Sequence, residues 1–158
     1  MRPGEPATIR FTVESVGPIG PAAIVVRALD VLAARVGRYS GVVEEFPEGF
    51  MSEPCSTGMN SIDIKIDGET HTFGALVQYY LVQNFVELQG VPSTKGRPLA
   101  FAGYRVPHPL ETSIIVRLGV GDNAEPRDRC LRAFADCVSA VVGLIETLRT
   151  NFVSAAAI

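Results

Sequence analysis

Two histidines and three cysteines, with scattered serines and carboxylates, are the side chains of this sequence that could do chemistry. His108 is the most suggestive of them. It stands between Pro107 and Pro109 in the stretch FAGYRVPHPLE, with Glu111 close behind it. An imidazole held on a rigid turn beside a carboxylate is what a general base needs. The same residues describe a stiff corner equally well. Each proline fixes φ, removes a backbone donor and drives the residue before it into extended geometry. Glu111 is the only evident group to orient the ring, so the corner is the reading the residues favour. The second histidine, His71, sits in no zinc-type, Ser-His-Asp or H-E-x-x-H context.

The remaining candidates are weaker. Cys130 and Cys137 lie two helical turns apart, roughly 10 Å along one helix face, too far to hold one ion, and no neighbouring Cys or His completes a set. Buried thiols are expected there. Ser56 and Ser113 lie in no nucleophile elbow, and GETHTFG and GVGDN lack the spacing of a phosphate-binding loop. No catalytic residue, cofactor site or metal ligand is therefore expected.

These side chains have to be carried by a chain of 158 residues, 47% hydrophobic and 20% charged, with a net charge of −3. That suits one domain, or one domain with an appendage. The 14 basic residues are dispersed, which argues against sequence-specific nucleic-acid binding by this chain. Three cysteines fit a reducing compartment. The opening MRPGEPATIR has no apolar core of a signal peptide, and no apolar run is long enough to span a membrane, so a soluble intracellular protein is expected.

The pattern of elements follows from periodicity. Ile9, Phe11 and Val13 alternate with Arg10, Thr12 and Glu14, which predicts a half-buried strand over residues 8–16. Pro21 opens a helix to about Arg38, with Val25, Leu29, Leu32 and Val36 along one face. Residues 40–58 hold no period and predict a linker or long loop. Ile62, Ile64 and Ile66 alternate with Asp63 and Lys65 in a second strand ended by Asp67-Gly68. A helix follows over about 72–88, capped by Thr70 or Thr72, with Phe73, Leu76, Val77, Tyr80, Leu81 and Leu88 as its stripe. LAFAGYRV and TSIIVRLGV predict an antiparallel strand pair around the PHPLE corner, after a flexible loop QGVPSTKGRP.

The last helix should start at a cap on Asp122 or Asn123, near Glu125 and Asp128, and run to about Val153. Its apolar positions Leu131, Phe134, Val138, Val141, Ile145, Leu148 and Phe152 keep an alternating spacing of 3 and 4, a heptad seam. A helix of that length covers roughly 40 Å, about twice the span of a short strand. A core helix across its own sheet explains part of the seam. The remainder points to an interface.

At THTFGALVQYYLVQN and FAGYRVPHPLETSIIVR, followed by this helix, the sequence resembles a known family. It is similar to the small alpha-like subunits of archaeal and eukaryotic RNA polymerases: archaeal subunit L, the eleventh subunit of polymerase II, and the counterpart in polymerases I and III. The family pattern opens a helix with D-H-T-L-G-N and continues with F-x-G-Y-x-x-P-H-P and I-x-x-R. His71, Thr72, Gly74, Phe101, Gly103, Tyr104, Pro107, His108, Pro109, Glu111 and Arg117 match it. The resemblance spans about residues 61–152, and PHPLE is nearer the polymerase II form. Glu69-Thr70 replace the acidic residue before the histidine, Phe73 replaces leucine, Ala75 asparagine, and Gln78 stands where many members carry arginine.

The front of the chain, FTVESVGPIGPAAIVVRALDVLAARV, resembles the end of the larger alpha-like subunit, archaeal D or the third subunit of polymerase II, where a strand leads into a last dimerisation helix. Fusions of the two are a known variation in this family, notably in large DNA viruses. The organisation implied is residues 1–39 from the larger subunit's end, a linker at 40–58, and the small alpha-like domain at 59–158. The rest of the larger subunit is expected from elsewhere.

The resemblance implies the RNA polymerase alpha-like dimerisation fold, a two-layer α+β architecture with an antiparallel sheet and long dimerisation helices. It implies a non-catalytic platform subunit that pairs alpha-like modules and nucleates assembly. Its partners would be a larger alpha-like subunit and the second-largest catalytic subunit, with no cofactor and no membrane. The expected dimer interface takes Val25, Leu29, Leu32 and Val36 from the first helix, Phe73, Leu76, Val77 and Tyr80 from the second, and the seven seam residues from the last. Location follows the polymerase served: nucleus in a eukaryotic cell, cytoplasm or virion otherwise. Two rivals from other classes are a small ferredoxin-like enzyme using His108 and Glu111, and a self-associating structural module.

Overall fold

The computed structural model describes residues 8–55, 60–87, 97–121 and 125–156. The elements run α1 (Pro21–Gly37), β1 (Phe50–Pro54), β2 (Ser61–Asp67), α2 (His71–Asn84), β3 (Phe101–Arg105), β4 (Ser113–Gly119) and α3 (Pro126–Ala156). The sheet is antiparallel throughout, in the order β1-β2-β4-β3.

Alternation decides which way the two central strands face. Ile62, Ile64 and Ile66 of β2 stand opposite Leu118, Val116 and Ile114 of β4, and each is 2% exposed or less. On the other face Asp63 meets Arg117 and Lys65 meets Ile115. A one-residue slip would send every isoleucine to water, so this register is strongly specified. Helices α2 and α3 cover the apolar face. Phe73, Val77 and Leu81 come down from α2, and Leu131, Phe134, Val138, Val141 and Ile145 from α3, all buried. This is the two-layer α+β arrangement that alternation and helical periodicity predict.

Helix α3 has 31 residues, about 45 Å at an α-helical rise. The seven-residue strands beneath it span only about 23 Å. Its buried side chains end at Ile145, and α1 packs beside its second half, from Val142 to Val153. The helices are antiparallel. A Cβ at Gly37 would sit 3.7 Å from Val142, Asp30 pairs with Arg149, and Ile19, Ala23 and Val26 share a groove with Val153. The contact stripe on α3 thus lies beside the heptad seam. Leu148 of the seam stays 50% exposed, and neighbouring Leu144 46%.

Four expectations change. Residues 8–14 form no strand; a strand exists only by pairing its backbone, and no neighbour reaches them among the described residues. In the segment expected as a linker over 40–58, residues 40–55 are more than a linker, since Val42 and Phe50 are core and β1 adds an edge strand to β2, while residues 56–58 lie outside the described residues. That strand was hidden because FMSEP carries one inward apolar side chain and ends in proline. Helix α2 stops at Asn84, and Val86 bridges to Leu99 instead of continuing the helix. Thr70 holds the N-cap position of α2 without a side-chain cap bond. The Asp67-Gly68 turn forms as predicted, with Gly68 at φ 78°, where a Cβ would be strained. Asp122, Asn123, Leu88 and most of the QGVPSTKGRP loop lie outside the described residues.

Candidate interaction surfaces

The motif residues separate into three places. The first is the junction of α2 with β3. His71 opens α2, and its Nδ1 lies 3.1 Å from the Tyr104 hydroxyl, the rings meeting edge to face at 5.8 Å. Tyr104 lies flat against Gly74, where a Cβ would come within 2.4 Å of the ring. Glycine is required there by contact, since the aromatic ring occupies the space of a side chain. Thr72, beside it, is exposed.

The second place is the outer face of the sheet. Arg117 donates two hydrogen bonds to Asp63 across the β2–β4 pair, at 2.6 and 2.7 Å. The guanidinium holds the Asp63 carboxyl below the usual carboxylate range, and Asp63 in turn raises Arg117. Phe101 folds over Gly103, 2.9 Å from where a Cβ would lie, and stays 42% exposed. The third place is the corner between β3 and β4. His108 is exposed there, and its Nδ1 accepts the N–H of Leu110 at 3.1 Å while its carbonyl accepts the N–H of Glu111 at 3.2 Å. The ring braces the turn that Pro107 and Pro109 begin. Glu111 is also exposed, its side chain on the same open corner.

The expected interface residues divide by burial. Val36, Phe73, Val77, Leu131, Phe134, Val138, Val141 and Ile145 belong to the chain's own core. Their side chains are buried within this chain, between its own helices and sheet. Leu29, Leu32, Leu76 and Tyr80 are half-buried against that core. Val25 and Phe152 are half-buried, and Leu148 stands out to solvent. The outward side of α2 is Ala75 and Tyr79, the latter 60% exposed, on a helix with no Asp, Glu, Lys or Arg. The cysteines are buried as expected. Cys130 approaches the Leu118 carbonyl and Cys137 the Val77 carbonyl, and burial pushes their thiols up to about 11 and about 12.

One polar constellation escaped the sequence. Glu69 is 3% exposed, accepts Arg35 Nε at 2.8 Å and the Tyr39 hydroxyl at 3.1 Å, while Arg35 also reaches the Gly68 carbonyl. A buried carboxylate is tolerated because both oxygens are bonded and one partner is a cation. Burial first, then Glu69, raises Tyr39 to about 12. The ring of Tyr39 packs edge-on to Phe73 at 5.1 Å. The network fastens α1 to the turn that precedes α2. No local period announces it, because its members lie more than 30 residues apart. Among the described residues no cluster of His, Cys, Asp or Glu could hold a metal ion, and no helix is long and apolar enough to cross a membrane.

Against this geometry the family match falls on the β2–α3 body. The family described as the RNA polymerase Rpb3/Rpb11 dimerisation domain matches residues 61–147. The DNA-directed RNA polymerase subunit Rpo11 of Sulfurisphaera tokodaii is 35% identical over 77 residues, 49% of this chain and 70% of that protein. Subunit Rpo11 of Sulfolobus acidocaldarius is 34% identical over 74 residues, 47% of this chain and 69% of the relative. The DNA-directed RNA polymerase II subunit rpb11 of Dictyostelium discoideum is 31% identical over 71 residues, 45% of this chain and 48% of its own length.

Proposed function

Because the chain belongs to the RNA polymerase Rpb3/Rpb11 dimerisation-domain family, we propose that it is a non-catalytic assembly subunit of a multisubunit DNA-directed RNA polymerase. The observation that carries this is the span of the family match. It runs from β2 into α3 and includes the His71, Gly74 and Tyr104 junction together with the braced PHP corner. These residues do structural work. His108 is engaged in its own turn, and the buried thiols are raised out of the nucleophilic range.

On this reading the chain pairs alpha-like modules and offers the catalytic subunits a platform. A larger alpha-like subunit and the second-largest catalytic subunit are its partners. The residues before the matched span take the part of the larger subunit's end. Supporting that, α1 packs along α3 within one chain, as a partner module's helix would, and Arg35, Tyr39 and Glu69 hold it there. Tethering two modules raises their effective concentration towards the millimolar range.

Affinity purification of the tagged full chain from its own host tests the reading. The two largest polymerase subunits should elute with it in equal amounts. A chain recovered only with copies of itself would overturn the proposal in favour of a self-associating module.

A further inference from the structure

The face of the sheet turned away from the helices carries a small hollow. Phe101, Gly103, Arg105, Ile115 and Arg117 line about 180 Å³ of open space at the β3–β4 pair. Gly103 brings no side chain to it, and the Phe101 ring folds over that glycine while staying 42% exposed. Arg117 stands opposite Gly103 across the strand pair, its guanidinium fixed because both oxygens of Asp63 accept from it. Arg105 is exposed, and among the described residues its side chain has no ion pair or hydrogen bond. The carboxylates of this face do not answer it. Asp63 is taken by Arg117, and Asp67 pairs with Lys65 at 3.4 Å. Glu53 lies three strands away, through Asp63 and Arg117 to Gly103, roughly 14 Å at the spacing of neighbouring strands. At physiological salt an exposed charge is largely screened over that distance.

We propose that this hollow docks an acidic segment of a partner polypeptide, with one aromatic side chain of that segment in the hollow and a neighbouring carboxylate on Arg105. Size, surface and charge each point to that occupant. Sites that enclose a whole small molecule run to about 300–1,000 Å³, whereas this one has room for a single large side chain. An exposed phenyl ring and a guanidinium plane held in place are both surfaces on which an aromatic ring stacks. The planar fork of Arg105 matches a carboxylate, which its own sheet does not supply. Nucleic-acid bases also stack, but their binding rests on several phosphate contacts made at once. Arg105 is the one unpaired cation among the described residues of this hollow, in a chain of net charge −3.

The test needs no polymerase subunit, so its outcome leaves the function proposed above untouched. The nitrogen-15-labelled full chain is titrated with the capped pentapeptide Asp-Glu-Phe-Glu-Asp, and backbone amide chemical shifts are followed. The largest saturable changes should fall on Phe101, Gly103, Arg105 and Ile115. A peptide with Ala in place of its Phe, and one with Lys in place of every acid, should each bind at least tenfold more weakly. Arg105→Glu should weaken the acidic peptide at least tenfold and bind the lysine peptide in its stead. Because Arg105 is exposed, that variant should keep the parent's thermal unfolding temperature. No saturable change, or changes centred on α2 or α3, would overturn the inference. Equal binding of the Ala peptide would overturn it as well, since charge alone would then be acting, and so would undiminished binding by Arg105→Glu. A short oligothymidylate that moves the same amides at lower concentration than the peptide would replace the polypeptide by a nucleic acid and overturn it too.

Discussion

Gly74 sits where the Tyr104 ring leaves no room for a methyl group. For Gly74→Ala, helix propensity alone predicts a gain of about 1 kcal/mol, whereas overpacking a rigid ring costs about 1–3 kcal/mol. The ring should win, because His71 holds the hydroxyl end of Tyr104 in place. Thermal unfolding should fall by about 2–8 °C for a domain of this size; an unchanged or raised midpoint would show that the ring moves freely. The buried thiols and Tyr39 set a second outcome. Burial raises Cys130 to about 11 and Cys137 to about 12, and burial with Glu69 raises Tyr39 to about 12. In the unfolded chain these groups deprotonate near their ordinary values, about 8.5 and 10. Between those values and the folded ones the unfolded state sheds protons that the folded state keeps, so stability is full below about pH 8 and declines as pH rises towards 12. Urea midpoints measured from pH 8 to 11 should fall steadily, and Cys137→Ala should flatten that slope even while lowering the midpoint at pH 8. His108 shows what the sequence could settle at this scale. Two flanking prolines made a corner legible, but the bond from Leu110 that occupies its ring was not, because a side-chain acceptor leaves no periodic trace.

At the scale of elements, strands β2 and β4 and all three helices were legible, since each buries one face and writes it at period 2 or 3.6. What failed depended on distant neighbours. Strand β1 exists because β2 lies beside it, and residues 8–14 are not a strand because nothing does. The heptad seam of α3 read as one surface, yet the sheet and α2 take its first five members, and α1 settles on the stripe beside the rest. The anchor of α1 was invisible for the same reason, as Arg35, Tyr39 and Glu69 meet only in the folded chain. Its weight can be measured. Arg35→Ala leaves the Glu69 carboxylate buried without its cation, and hydrogen bonds to charged groups contribute about 1.5–3 kcal/mol. Exchange protection of α1 amides should drop by tenfold or more, with β2 and β4 amides largely unchanged. An equal drop across the sheet would mean that α1 and the body unfold as one unit, and that the anchor is no separate element.

For the molecule as a whole, α3 builds the core and, on the proposed function, would also carry assembly, and single substitutions can separate the two roles. Val138 is fully buried between α3 and its own core. An aspartate there places an unpaired carboxylate in an apolar interior, at a cost of several kcal/mol, against a total stability of about 5–15 kcal/mol for a native domain. Val138→Asp should therefore fail to fold, and its absence from any complex would say nothing about an interface. Leu148 lies one turn past the last buried seam residue of α3 and is half exposed. Leu148→Asp meets water, so the isolated chain should keep its circular dichroism and unfold within about 0.5 kcal/mol of the parent, as surface changes generally do. If the free end of α3 is where the platform meets a larger alpha-like subunit, the same change buries a charge only in the complex. Recovery of polymerase subunits with the tagged chain should then fall at least tenfold while the chain itself stays folded. Full recovery with Leu148→Asp would remove the end of α3 from the interface. The uncharged outer face of α2, at Ala75 and Tyr79, would then be the next surface to carry the contact, with Tyr79→Asp as its equivalent test.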